Sequence, residues 1–374
     1  MRLLKITGLA AGLVGAAAIA AYATGFLGLI SAGYPRALWP ALGSFETVAG
    51  RNTLLQTRPS LAKLDSRGED LFKQSESRAV LAAHNGVLDL EVYGDGIGPT
   101  TRMNSYSLVK SLVGALVLKA VSEGRISEID EPIGTYLPTL STREVRGRSI
   151  RSFLEMRSGL DFEEHGADKL DHASTYNPFG NLTRLHKNGI RGVADGLELA
   201  SGNKDAFVYQ NVNTAVLGLM LSEIYDQPLP ELLSEKIWRP AGAADAFWMR
   251  HVDADEATAY CCLYATARDW VHVGRFLMKN GEPGDPFLPR ELWESFFGFG
   301  VSPSRRSDDH YGLHVRHNVL DRPGETLQGG FSYMLGQGGQ VVYLMPEQDL
   351  VVVRFGEGFS LLHSTLYSAW NSIN

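Results

Sequence analysis

The stretch "MNSYSLVKSLVGALVLKAV", Met103 to Val121, decides how the rest of the chain is read. Four polar or aromatic residues, Asn104-Ser105-Tyr106-Ser107, open directly into a long apolar run. The apolar run predicts a buried helix from Ser107 to about Val121. One cation, Lys110, sits a single turn inside it. Residues i and i+3 share a helix face, so Ser107 and Lys110 can meet. Desolvation among Leu and Val side chains would lower the pKa of a lysine and supply a neutral amine able to take the serine proton. The N–H groups at a helix N-terminus can also stabilise an oxyanion. Ser-x-x-Lys occurs three times, at Ser60–Lys63, Ser107–Lys110 and Ser201–Lys204. Ser60 follows a proline in a polar region and Ser201-Gly202-Asn203 is turn-like. Only Ser107 opens an apolar helix.

Two further motifs lie downstream. "FVYQNVNTAVLG" places Tyr209 and Asn211 at the entry of a second helix, Val212 to Tyr225. It is the only Tyr-x-Asn among 14 tyrosines. A phenol near Lys110 could relay protons between nucleophile and leaving group, and Asn211 could hold Lys110 or a substrate carbonyl. The plainer alternative is a buried tyrosine followed by a helix cap. "GQGGQVVYL" is a glycine-rich entry to a strand, where Gly338 and Gly339 let backbone approach a ligand. A simple bulge explains it equally well in isolation.

In this order, Ser107-x-x-Lys110, Tyr209-x-Asn211 and Gln337-Gly338-Gly339 resemble the serine β-lactamase and penicillin-binding-protein superfamily. The resemblance is to its class C-like branch, which includes carboxylesterases and 6-aminohexanoate-dimer hydrolase, and runs from about Arg78 to the C-terminus. "IDEPIGTYLPTL", "FLEMRSGLDF", "YCCLYATARDWVHVGRFL" and "MPEQDLVVVRFG" agree with it. It implies an acyl-serine mechanism with Ser107 as nucleophile and Lys110 and Tyr209 sharing the acid/base role. It also implies a backbone N–H of Gln340 completing an oxyanion hole with that of Ser107. The third motif departs from the family at Gln337, where lysine or histidine is usual. The expected substrate is therefore a small amide or ester without a required carboxylate, with β-lactam or D-amino-acid peptide hydrolysis as the alternative. No metal or cofactor is expected.

The remaining sequence supports an α+β fold. "RAVLAAHNGVLDLEVYG" (Arg78 to Gly94) reads as a hairpin turning at Asn85-Gly86. A second hairpin spans Gly338 to Gly356, turning at Pro346 to Asp349. Helices are expected at Thr266 to Gly281 and from about Phe359 to Ser372. Strands near both ends and helices between them predict an antiparallel sheet built from N- and C-terminal strands, flanked by helices, with an inserted mainly helical subdomain. The domain expectation is residues 1–32 as signal-anchor or signal peptide, 33–77 as linker and lead-in, and 78–374 as the hydrolase domain.

The 374 residues include 44% hydrophobic and 21% charged residues, with net charge −7. No Lys/Arg-rich run exists, so a nucleic-acid partner has no electrostatic support. Arg2 and Lys5 are followed by no charged residue until Arg36. That apolar stretch predicts a membrane contact and an exported catalytic domain, anchored facing the periplasm or extracellular side, or released after cleavage near Ala21-Tyr22-Ala23. The only cysteines, Cys261 and Cys262, are adjacent and are expected to be two buried thiols rather than a redox pair. Competing enzyme classes lack their signatures. There is no Gly-x-Ser-x-Gly and no His-Glu-x-x-His, and His310, His314 and His317 lie in a strand-like segment. A binding domain that lost catalysis is argued against by Ser107, Lys110 and Tyr209 together.

Overall fold

A computed structural model describes residues 2–23, 43–162, 180–282, 284–307 and 310–374. Its frame is an eight-stranded sheet. The central hairpin pairs β3 (Ser77–His84) with β4 (Val87–Tyr93), and its turn residues Asn85 and Gly86 both take positive φ, +50° and +81°. That is the two-residue turn whose twist suits a hairpin. The C-terminal strands β9 (Val315–Leu320), β10 (Gly329–Gly336), β11 (Gln340–Met345) and β12 (Leu350–Gly356) run as an antiparallel meander. β12 then pairs antiparallel with β3, so the two ends of the chain meet in mid-sheet. The outer strands are β8 (His310–Gly312) beside β9, and β2 (Thr57–Ala62), which runs parallel to β4.

A smaller antiparallel sheet, in the order β1-β6-β7-β5, is made of Phe45–Val48, Ala246–Met249, Leu263–Ala265 and Met103–Asn104. Residues 33–77 therefore contribute more than a lead-in. β1, β2 and helix α2 (Ser66–Gln74) all lie in that range and build on the domain.

Helices cover both faces of the large sheet. On one face α2 packs with α6 (Ser364–Ile373), burying Leu366 and Ala369 against Leu90 and Val352. On the other, α5 (Ala267–Met278) lies across β11, β12 and β3. Its start carries a reciprocal cap between Thr266 and Asp269. Gly274 lets it settle: a Cβ there would come within 2.8 Å of Val351 and 3.2 Å of Leu344. The helical part is dominated by α3 (Leu108–Ser122), which packs directly on β10 and β11, and by α4 (Asn211–Tyr225), which packs on α3. Every residue of α3 from Leu108 to Leu118 is buried, as are Asn211 to Leu221 of α4. A helix apolar on all sides belongs inside a fold. The expected α+β architecture with inserted helices is what forms.

Helix α1 (Arg2–Ala23) differs. Leu13, Val14, Ile19 and Tyr22 are all more than 60% exposed. Among the described residues, no helix is long and apolar enough to cross a membrane, so the structure lends no support to the expected membrane contact.

Candidate active site

The nucleophile candidate stands at a corner between the small sheet and α3. β5 pairs with β7 through Met103–Ala265 and Asn104–Tyr264. The chain then turns sharply. Tyr106, fully buried, adopts φ +45°, a conformation that costs free energy for a residue with a side chain. Asn104 Oδ1 accepts the Tyr106 N–H at 2.9 Å and thereby holds the turn. Ser105 is fixed on both sides by Leu263: its N–H donates to Leu263 O at 3.0 Å, and its Oγ accepts the Leu263 N–H at 3.1 Å. The result leaves Ser107 half-buried at the mouth of α3 while its neighbours are sealed.

Lys110 is 2% exposed. Its Nζ lies 3.0 Å from Ser107 Oγ, 2.6 Å from Asn211 Oδ1 and 2.7 Å from the carbonyl oxygen of Tyr260. The i, i+3 expectation for Ser107 and Lys110 holds, and Asn211 joins them from the first turn of α4. Ser60 and Ser201, the rival motif serines, lie exposed.

Tyr209 presents its ring to Lys110, with Nζ 5.2 Å from the ring centre. Its edge packs on Tyr311, 6.1 Å between centres, and Tyr311 reaches His314 Nδ1 at 3.1 Å. His314 Nε2 lies 3.0 Å from Thr214 Oγ1 on α4. Burial first, and the Lys110 charge when present, push His314 down to about 3, so this imidazole stays neutral. Of the histidines of the β8–β9 segment, His314 and His317 are buried, with His317 Nδ1 2.9 Å from Ser332 Oγ, and His310 is half-buried.

The glycine motif closes the opposite wall, between β10 and β11. Gly338 and Gly339 take φ +73° and +72° in succession, a path natural only to glycine. Gln337 is half-buried, and its carbonyl accepts from Gln340 Nε2 at 2.9 Å. The Gln340 side chain is wholly buried. Its amide also bridges Gly356, donating to the carbonyl at 2.8 Å and accepting the N–H at 2.9 Å. So Gln340 can offer substrate only backbone. A Cβ on Gly336 would sit 2.4 Å from Ser105 O, 3.2 Å from Ser107 N and 3.3 Å from Cβ of Gln340. Gly336 therefore marks where Ser107 and Gln340 draw together.

Four contributors escaped the sequence reading. Gly336 was inside the quoted motif but unassigned. Tyr260 acts through its carbonyl, which no side-chain pattern reveals. Asn104 holds the turn before Ser107. Arg354 is fully buried in β12, and its guanidinium clamps the glycine turn. Nη1 donates to Gly339 O at 2.5 Å and Gly358 O at 2.9 Å, Nε donates to Ser77 Oγ at 2.9 Å, and Nη2 donates to Ser75 O. Burial lowers its pKa to about 10. The signal was a lone arginine in an apolar strand, "VVVRFG".

The cysteine expectation needs correction. Cys261 and Cys262 are wholly buried, as expected, but form a disulfide with each other. Adjacency excluded only a long-range bridge, and a turn at Cys262 (φ +71°) accompanies the short-range one.

Comparison with known proteins bears on the family and the fold. A protein-family model described as Beta-lactamase matches residues 70–365. The 6-aminohexanoate-dimer hydrolase of Paenarthrobacter ureafaciens is 26% identical over 318 residues, covering 83% of this chain and 78% of that one. A Bacillus anthracis structure named after 6-aminohexanoate-dimer hydrolase superposes with a TM-score of 0.72 at 21% identity, covering 89% of this chain and 91% of the other. The class C β-lactamase of Rhodobacter sphaeroides has the same fold at a TM-score of 0.56 and 12% identity, covering 82% and 96%. Matched over most of its length by the family model, the chain belongs to the Beta-lactamase family.

Proposed function

We propose that this protein is a serine hydrolase that cleaves a small amide or ester through an acyl intermediate on Ser107. One observation carries the reading: the set of groups around Lys110 Nζ. Asn211 Oδ1 and Tyr260 O can only accept hydrogen bonds, whereas the Ser107 hydroxyl can donate. A neutral amine has two N–H groups and one lone pair. A neutral amine there directs its N–H groups to the two acceptors and its lone pair to the Ser107 proton, whereas an ammonium donates to all three oxygens. The neutral amine is taken as the reacting form, with Lys110 as the base that generates the nucleophile.

Ser107 Oγ then attacks the substrate carbonyl and Lys110 receives the proton. The oxyanion is met by the backbone N–H groups of Ser107 and Gln340. The proton passes from Lys110 to the leaving amine or alcohol, with the Tyr209 hydroxyl as a relay beside it. Water, activated by the same base, releases the acid. Gln337 adds no charge to the mouth. Of the three arginines that could replace that charge, Arg306 is buried and donates to Phe297 O at 3.0 Å and Arg305 is exposed, while Arg316 lies over the Tyr311 ring, 5.4 Å from its centre, next to Tyr209. The missing cation at position 337 itself is what favours uncharged substrates. A β-lactam or D-amino-acid peptide remains the second reading, supported by the fold shared with class C β-lactamase.

The test is covalent labelling. A fluorophosphonate probe should attach to Ser107, located by peptide mass analysis. Ser107→Ala should lose labelling and roughly 10⁴-fold or more of kcat at unchanged stability. Undiminished labelling of that variant would reject the assignment.

A further inference from the structure

The disulfide lies directly behind the base. Tyr260, whose carbonyl accepts from Lys110 Nζ, immediately precedes Cys261. Leu263, which clasps Ser105 through both its N–H and its C=O, immediately follows Cys262. The two cysteines are the only residues between the backbone group that orients Lys110 and the backbone groups that hold the Ser107 corner. The rest of the bridge is anchored too. Cys261 O accepts from Trp248 Nε1 at 2.9 Å and Thr258 Oγ1 at 3.0 Å, and Cys262 O accepts the Met249 N–H at 3.1 Å. Within this frame Cys262 holds φ +71°, which an unbridged cysteine adopts only at a cost.

We propose that the Cys261–Cys262 disulfide is a redox-sensitive latch that positions Lys110. Closed, it keeps the left-handed turn and presents Tyr260 O to the amine. A dithiol reductant opens it: the S–S bond breaks, two electrons and two protons arrive as two thiols form, and the reductant closes to its own disulfide. Cys262 is then free to leave positive φ, and Tyr260 O moves with it. Both cysteines are wholly buried, so exchange passes through local opening and the oxidised form persists between events. Lys110 is the reacting group and the disulfide acts through it, so this inference rests on the proposed function.

The experiment measures Ser107 acylation by a fluorophosphonate across pH, on native full-length protein before and after dithiothreitol, with thiols counted by alkylation and intact mass. The reduced protein should acylate roughly ten- to a hundredfold more slowly, with the acid limb of its pH profile displaced, because small misplacements of a reacting group are costly. Cys262→Gly accepts the left-handed turn without a bridge. It should keep the rate of the oxidised protein and ignore the reductant. Cys262→Ala should behave like the reduced form under both conditions. Two free thiols in the untreated protein, a disulfide that survives native reduction, or a reduced protein with unchanged rate and pH profile would each overturn the latch. Failure of the oxidised wild type to acylate at Ser107 would instead count against the proposed function.

Discussion

At the scale of single residues, Gly336 is an exacting position of the site that touches the Ser107 corner directly. It is not a turn glycine; its φ of −120° suits any residue. What it lacks is room, since a Cβ would press on Ser105 O at 2.4 Å and on Ser107 N at 3.2 Å. Both contacts are backbone, which cannot rotate away. Gly336→Ala should therefore separate the end of β10 from the Ser107 corner and widen the oxyanion site. The expected result is an acylation rate lower by about a hundredfold. The accompanying destabilisation should be only about 1–3 kcal/mol, the usual cost of overpacking. Stopped-flow acylation and urea unfolding measure the two effects, and an alanine variant that acylates as fast as wild type would show that the wall is not needed.

At the scale of elements, Arg354 ties four segments together: β12 itself, the glycine turn, the Gly358 carbonyl after β12, and the Ser75–Ser77 lead into β3. It meets these carbonyls and one hydroxyl without a carboxylate bonded to it among the described residues. Arg354→Met keeps the apolar volume but strands several buried acceptors. It should cost about 3 kcal/mol or more, since each buried acceptor left without a donor costs about 1–3 kcal/mol, and the urea midpoint reads this directly. A shift under 1 kcal/mol would mean that the turn holds itself. Elements with their own period or turn chemistry were legible in sequence: the Asn85-Gly86 hairpin, α3, α4 and α5. β5 and β7 were not, because two or three residues cannot show alternation and their pairing is non-local. β1 and β2, of four and six residues, were hidden within what read as a linker because their pairing is also non-local and β2, mostly exposed and holding a proline, shows no apolar alternation. Ser107, Lys110 and Asn211 were legible because helical spacing and motif order place them. Tyr260 and the bridge after it were not, because there the backbone does the work.

At the scale of the whole molecule, acid should undo the fold through histidines. Burial is the leading cause that lowers His251 to about 4 and His314 and His317 to about 3. The unfolded chain binds these protons near the ordinary value of 6.5. Between those limits the unfolded state holds more protons, so stability is fully present above about pH 6.5 and is lost as pH falls toward 4 and 3. Each histidine contributes a slope of up to about 1.4 kcal/mol per pH unit. Urea unfolding at steps from pH 7 to 4.5 should show this decline. His317→Gln should be less stable at neutral pH, yet flatter in acid by about one such increment; an unchanged slope would exonerate His317.

The pairing of β12 with β3 has a temporal side. Those strands come from opposite ends of the chain, and each is the other's neighbour in mid-sheet. On a ribosome, β3 and β4 emerge as a lone hairpin, marginal by itself in water. The helical part follows and can begin to pack from local contacts. The large sheet closes only after the last strands appear, when the entropy of a very long loop must be met at once. Until then β3 carries an open apolar edge, of the kind that invites wrong partners. Synthesis of this protein therefore includes an interval of exposure that a fold with sequential strands would not have.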